Sequence, residues 1–153
     1  MDSIGVSILK EETRDDIRVA REAIGEAKKR FLNTDVTGLE SGAFHLIRFY
    51  NAIEQMSLRI AKAFENHIDD ERGWHTELVQ RLSIEIPGVR PLFWPRDILP
   101  DLREVRGFRH LFVHAYELNL DRQKLLRVEQ SAIEIDRRIE EVWRGFFESL
   151  HVE

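Results

Sequence analysis

The chain has 153 residues, of which 33% are charged and 42% hydrophobic, proportions that are typical of one ordinary folded domain and exclude a largely disordered chain. Its 23 Lys and Arg against 28 Asp and Glu give a formal net charge of -5, which excludes a uniformly basic nucleic-acid coat protein, so any polyanion must bind a local patch. No cysteine is present, which excludes disulfides, a thiolate nucleophile and cysteine-ligated metal centres.

Two long amphipathic helices are predicted in the first half of the chain. Apolar residues recur there at three- and four-residue spacing, which indicates helices over residues 7–32 and 41–68. Ser41 is the predicted N-cap of the second helix, which we expect to be central and most buried. The core-facing positions predicted in the first helix are Ile8, Ile17, Ala20, Ile24, Ala27 and Phe31. Those predicted in the second are Phe44, Ile47, Ala52, Met56, Ile60, Ala61 and Phe64.

The second half predicts three more helices around a proline-containing loop. After a charged turn at residues 69–73, a short third helix is predicted over residues 74–86. All four prolines lie within residues 87–100, where Phe93 and Trp94 supply enough apolar surface for an ordered loop that packs down. A fourth helix is predicted from Pro100 to near Asn119, and a fifth, capped by Asp121, to about residue 150. The core-facing positions predicted in the fourth are Leu102, Val105, Phe108, Phe112 and Ala115.

The pattern therefore predicts an all-α, single-domain bundle of four to five helices over residues 1–153. No stretch free of Asp, Glu, Lys and Arg is longer than seven residues, whereas roughly 20 apolar residues span a bilayer. Acidic residues at positions 11, 12, 15 and 16 stand where a secretory signal would need an apolar core. We expect a cytoplasmic protein with no membrane association.

The densest group of chemically active residues lies on the predicted fourth helix. Arginine, histidine and tyrosine side chains spread there over about 160° of the face opposite the apolar stripe. They are Arg103, Arg106, Arg109, His110, His114 and Tyr116. Five arginines against three acidic residues between positions 90 and 110 give this region a local formal charge of +2. The sequence therefore predicts a small anion-binding face.

Three interpretations of this cluster stay open on residue types alone. The first is an ordinary solvated helix face. The second is phosphodiester cleavage without a metal, because Arg can hold a phosphate bidentately, His can transfer protons, and Tyr offers a nearby hydroxyl. The third is a zinc site on His110 and His114, which point the same way at i and i+4. His45, His67, His75 and His151 each stand alone in sequence and are interpreted as structural or surface residues.

The spacing Arg109-x4-His114-x-Tyr116 resembles the motif of HepT-like toxins in the HEPN superfamily. These proteins are similar in size, in helix number and in carrying the motif on a late helix, so the resemblance covers nearly the whole chain. His110 stands where asparagine is commoner. The resemblance implies a HEPN-type bundle and a metal-independent endoribonuclease without cofactor, cleaving tRNA or mRNA as the toxin of a type VII toxin–antitoxin pair.

The same resemblance implies roles for individual residues. Arg109 and His114 would be the catalytic pair, and Tyr116 would be modified with AMP by a minimal nucleotidyltransferase antitoxin. Arg103, Arg106 and His110 are candidate RNA-contacting or supporting residues.

A dimer is expected from the helix geometry and from the resemblance. Arg109 and His114 are five positions apart, so an ideal helix places them about 140° apart around its axis. One protomer alone therefore makes a poor cleft. A homodimer with two such helices facing across a two-fold axis would pool both pairs around one phosphate, and the resemblance implies the same dimeric site. Two other functions stay open: a non-catalytic HEPN module that presents a substrate or nucleotide to a partner nucleotidyltransferase, and a metal-binding bundle.

Overall fold

The computed structural model describes residues 1–65, 74–115 and 119–151, and the side chains of all of these except residues 74–77. Within this part of the chain there are five α-helices and no β-strand, which confirms the predicted all-α bundle. The helices are α1 (Ser3–Phe31), α2 (Val36–Phe64), α3 (Trp74–Arg81), α4 (Leu99–His114) and α5 (Arg122–Glu148), with a short 3-10 helix at Arg96–Ile98. None of the described helices is both long and apolar enough to cross a membrane.

Aspartate side chains begin three of the helices. Asp2, Asp35 and Asp121 each accept a hydrogen bond from a backbone N–H in the first turn of α1, α2 and α5, at 2.7, 2.8 and 2.9 Å, and so satisfy donors that a helix start leaves free. The cap at Asp121 confirms the prediction. The predicted cap at Ser41 is wrong, because Asp35 starts α2 earlier and Ser41 falls inside the helix.

Buried Arg90 explains why α3 ends at Arg81 rather than at residue 86. The Arg90 side chain is fully buried, and its guanidinium donates to the backbone carbonyls of Arg81 (3.1 Å) and Ile84 (2.9 Å). These carbonyls therefore have partners without a continuing helix. Ion pairing with Glu65 at 3.4 Å balances the buried charge.

Two of the other predicted boundaries also differ. The fourth helix ends at His114, since Ala115 turns to an extended backbone with φ −75° and ψ 125°. α2 ends at Phe64, four residues before its predicted end. That predicted end and the charged turn at residues 69–73 lie outside the described residues, as does His67.

The core is centred on α2, which packs against α1, α3, α4 and α5, as the sequence predicts. The proline-containing loop is ordered and packs down as predicted: Phe93 and Trp94 are 2% and 0% exposed and meet edge to face at 4.8 Å. The indole Nε1 of Trp94 donates to the hydroxyl of Ser57 on α2 at 3.0 Å. This loop therefore closes one side of the core.

Two predicted core residues, Ile8 and Phe44, lie on the surface, and each is 54% exposed. Each stands nine residues before a residue that is almost fully buried, Ile17 and Ile53 respectively. Nine residues at about 100° each make two and a half turns, which places the two residues of each pair on opposite faces of the helix, so Ile8 and Phe44 point away from the core. The prediction failed because a step of three or four residues is not a whole turn of the helix. The angular errors of successive steps add up along a helix of this length.

Glycine at position 42 permits the close approach of α1 to α2. A Cβ built there would overlap the aromatic ring of Phe31, the last residue of α1. The turn between these helices spans only residues 32–35. The two longest helices therefore form one tight antiparallel pair.

The carboxylate of Asp136, which pairs with Arg21 across α1 and α5, predicts a contribution to the stability of the fold that rises as the pH falls. Burial raises the pKa of Asp136 above its ordinary 3.8, although Arg21 and Lys28 act in the opposite direction. A carboxyl with a raised pKa binds protons more tightly when folded, so its contribution to stability grows as pH falls from neutral through the folded pKa. We expect Asp136→Asn to raise the urea midpoint at pH 7 and to lose this increase near pH 4.

The matched control is Glu26, whose pKa is lowered chiefly by its hydrogen bond with Lys29. Glu26→Gln should act with the opposite sign, because the folded state there favours the charged carboxylate and that contribution disappears on acidification. Urea unfolding of both variants from pH 4 to pH 8 tests the pair. Identical pH profiles for the two variants would contradict the assignment.

Candidate active site on α4

The cluster of basic residues follows α4 from its middle to its last turn. Arg103, His110 and His114 are exposed, whereas Arg106 and Arg109 are partly buried. Tyr116 lies outside the described residues. The last two turns of α4 therefore present two exposed imidazoles beside a guanidinium that turns inward.

Arg109 is bound to α2 rather than extended into solvent. Its Nη1 donates to Glu54 Oε1 at 2.9 Å and to Asn51 Oδ1 at 3.0 Å, and its Nη2 donates to Glu54 Oε2 at 3.1 Å. The guanidinium carbon lies 4.8 Å from the centre of the Tyr50 ring, in cation–π contact. Only 20% of the Arg109 side chain is exposed. One carboxylate, one amide and one aromatic face thus fix the guanidinium.

This position differs from the solvent-facing placement that the helical wheel predicts for Arg109. The reason is the length of the side chain, because an arginine at the border of the apolar stripe can lay its stem along a neighbouring helix. Glu54 is itself only 11% exposed, so the pair is largely withdrawn from water. Removing one partner would leave an uncompensated charge, a loss worth about 3–5 kcal/mol at a fully buried pair and less here.

Sequence reasoning missed Tyr50, Asn51 and Glu54, the three α2 residues that contact Arg109. They stand 55 or more positions before it, and no local motif joins the two segments. One signal was available: Glu54 interrupts the apolar face of the most buried helix, between Ile53 and Met56. A carboxylate in such a position needs a cationic or hydrogen-bonding partner.

Tyr50 is suited to packing rather than to proton transfer. Burial raises its pKa far above the ordinary value of 10.0, and nearby Glu54 raises it further, against the smaller opposing effects of Arg109 and Arg106. Its phenol is therefore neutral at physiological pH. The hydroxyl is buried and has no hydrogen-bond partner among the described residues.

The rings of His110 and His114 lie close together, one helical turn apart and tilted against each other. Their ring centres are 4.5 Å apart, and the planes are inclined by 50°. Neither ring forms a hydrogen bond within the described part of the chain, and no hydrogen bond joins His114 to Arg109 there. In the same ranges no group of three His, Cys, Asp or Glu residues is placed to hold a metal ion. Both imidazoles are thus available to an incoming ligand.

Comparison with known proteins identifies a family. The family model described as HepT-like protein matches residues 42–150. The matched range contains the α2 residues that hold Arg109 as well as the whole of α4. No curated protein and no solved structure matches the chain.

Proposed function

The chain belongs to the HepT-like family of the HEPN superfamily, and on that premise we propose that it is a metal-independent endoribonuclease acting on tRNA or mRNA. The observation that carries the proposal is the family match, which spans the segment Arg109-x4-His114-x-Tyr116. We propose further that the protein is the toxin of a type VII pair and is cytoplasmic. Its domain would be the whole of residues 1–153.

The proposed reaction is transesterification at the ribose 2′-hydroxyl in a homodimeric site. One His114 takes the proton from the 2′-hydroxyl as that oxygen attacks phosphorus. The P–O5′ bond breaks, and the second His114 donates a proton to the leaving 5′-oxygen. The two Arg109 guanidinium groups stabilise the negative charge on the phosphorane. The products are a 2′,3′-cyclic phosphate and a 5′-hydroxyl end.

The other residues of the cluster have supporting roles in this proposal. Arg103 is exposed on the same helix and can contact neighbouring phosphates, and Arg106 is partly buried beside it. The ring of His110 lies 4.5 Å from that of His114, centre to centre, and so limits the orientations of the His114 ring. These three residues would bind or orient RNA rather than transfer protons.

We propose that a minimal nucleotidyltransferase antitoxin controls the site by attaching AMP to Tyr116. An added phosphate would pair with the arginines of α4, and the nucleoside would exclude RNA sterically. Tyr116 follows the end of α4 by two positions and lies outside the described residues, so its place in the proposal depends on the family motif alone.

The proposed function is tested by incubating total RNA with the purified protein in the presence of EDTA. Mass spectrometry first establishes that Tyr116 carries no adduct. We expect cleavage that leaves cyclic phosphate ends, and no cleavage of an oligonucleotide that is 2′-deoxy throughout. Absence of RNA cleavage by adduct-free dimeric protein would contradict the proposal.

One structural observation favours a second candidate, a non-catalytic module that binds a partner nucleotidyltransferase. Three N–H groups of Arg109 already donate hydrogen bonds to α2, as those of an arginine with a purely structural role would do. The two candidates differ when the chain is expressed without a partner. A ribonuclease arrests growth, whereas a binding module does not.

A further inference from the structure

The α2 residues use only part of the hydrogen-bonding capacity of Arg109. A guanidinium carries five N–H groups. Both on Nη1 and one on Nη2 donate to Asn51 and Glu54. The remaining N–H on Nη2 and the N–H on Nε donate to no residue of the described ranges. Two donors of a partly exposed cation are therefore left for another acceptor.

The geometry of the ion pair decides which edge these donors occupy. Glu54 meets the guanidinium end-on, because its two oxygens bind Nη1 and Nη2 respectively. The two remaining N–H groups lie side by side on the Nε–Nη2 edge, and such a parallel pair is what a phosphate accepts bidentately. The Tyr50 ring lies against the guanidinium, 4.8 Å from its central carbon, and restricts its movement.

We propose that Glu54 and Asn51 are positioning residues for RNA cleavage. They hold the end of the Arg109 guanidinium so that its Nε–Nη2 edge faces the scissile phosphate, and neither touches the substrate. The inference rests on the proposed function, because it needs a phosphodiester substrate. Glu54 also offsets the charge of Arg109, so its removal should change RNA binding and RNA cleavage in opposite directions.

The kinetic test compares variants of the full-length protein. We expect Glu54→Ala to lower kcat by about 100-fold, the scale of an ångström-sized misplacement. The same change should tighten binding of an uncleavable 2′-deoxy oligonucleotide about fivefold, because it removes a negative charge. Glu54→Gln keeps one acceptor oxygen and should recover part of kcat. In an Arg109→Ala background, Glu54→Ala should cost nothing further.

Two additional variants guard against loss of folding. Asn51 is exposed, so Asn51→Ala removes one acceptor from Arg109 without opening the core, and we expect about a tenfold fall in kcat. Asp97→Ala breaks an exposed ion pair with Arg138 at 2.7 Å and should leave kcat unchanged. A kcat at the unsubstituted level in folded Glu54→Ala or Asn51→Ala protein would overturn the proposal.

Nitrogen-15 NMR of the Arg109 Nε–H group separates this inference from the proposed function. The uncleavable oligonucleotide should shift that resonance in the unsubstituted protein, and the shift should be smaller in Glu54→Ala, where the guanidinium is no longer held in one orientation. If the oligonucleotide does not shift the resonance in the unsubstituted protein, the positioning role is overturned, whether or not the protein cleaves RNA. A shifted resonance in a protein that cleaves no RNA overturns the proposed function, and with it the role in cleavage, and leaves only the orientation of Arg109 toward a bound phosphodiester.

Discussion

Replacing His114 by alanine is expected to lower the rate of RNA cleavage by at least about 100-fold, the usual contribution of a general acid or base. The folded state should be unaffected. His114 is exposed, is the last residue of α4, and has the ring of His110 as its neighbour. The measurement is the initial rate on a fluorogenic RNA, alongside thermal unfolding of the same preparation.

Two histidine variants serve as controls for this loss. His110→Ala removes the neighbouring ring without removing the proposed proton carrier, so we expect the cleavage rate to fall by less than about tenfold. His151 lies beyond α5, and His151→Ala should match the unsubstituted protein. A folded, dimeric His114→Ala protein that cleaves at the normal rate would show that the proposed chemistry is wrong.

Trp94→Ala is expected to lower the free energy of unfolding by about 3–5 kcal/mol, the range for truncating a buried large aromatic residue. Trp94 is 0% exposed and contacts Phe93 edge to face. Its loss leaves a cavity between the proline-containing loop and α2. For a domain this small, such a change is a large part of the total stability. Urea unfolding followed by circular dichroism measures it.

Two further substitutions in this loop show whether the loss of stability in Trp94→Ala comes from lost packing. Trp94→Phe keeps most of the volume but loses the bond to Ser57, so we expect a cost of about 1–2 kcal/mol. Leu92 is 42% exposed in the same loop, and Leu92→Ala should change stability by less than about 0.5 kcal/mol. Equal losses for Leu92→Ala and Trp94→Ala would mean that the loop does not pack as described.

The helices were predictable because local signals define them. Asp121 at the start of α5, the prolines before α4 and the aromatic pair of the loop each act within a few residues. It was harder to predict which side chains of the long helices face the core, as Ile8 and Phe44 show. Counting steps of three and four residues does not preserve the angular position of a side chain along a 29-residue helix. The early start of α2 at Asp35 was missed because Ser41 offers an equally good capping side chain.

The candidate site, too, was predictable in part. Its residues on α4 were predictable from their density and spacing within one helix. Their environment was not, because the partners of Arg109 lie on another helix and the pairing depends on how α2 and α4 pack. A wheel drawn for α4 alone treats its polar face as open to water. It cannot show that Glu54 neutralises one of the arginines on that face.

The distance in sequence between Glu54 and Arg109 has a consequence for synthesis of the protein. A ribosome adding about 5–20 residues per second needs roughly 3 to 11 seconds to pass from one to the other, since they are 55 positions apart. The chain made by the end of that interval contains α1 and α2, but for most of the interval neither Arg109 nor His114 has been added. Under the proposed mechanism, chains released before α4, by a premature stop or by proteolysis of the nascent polypeptide, would lack both proposed catalytic residues, so toxicity would require translation past α4.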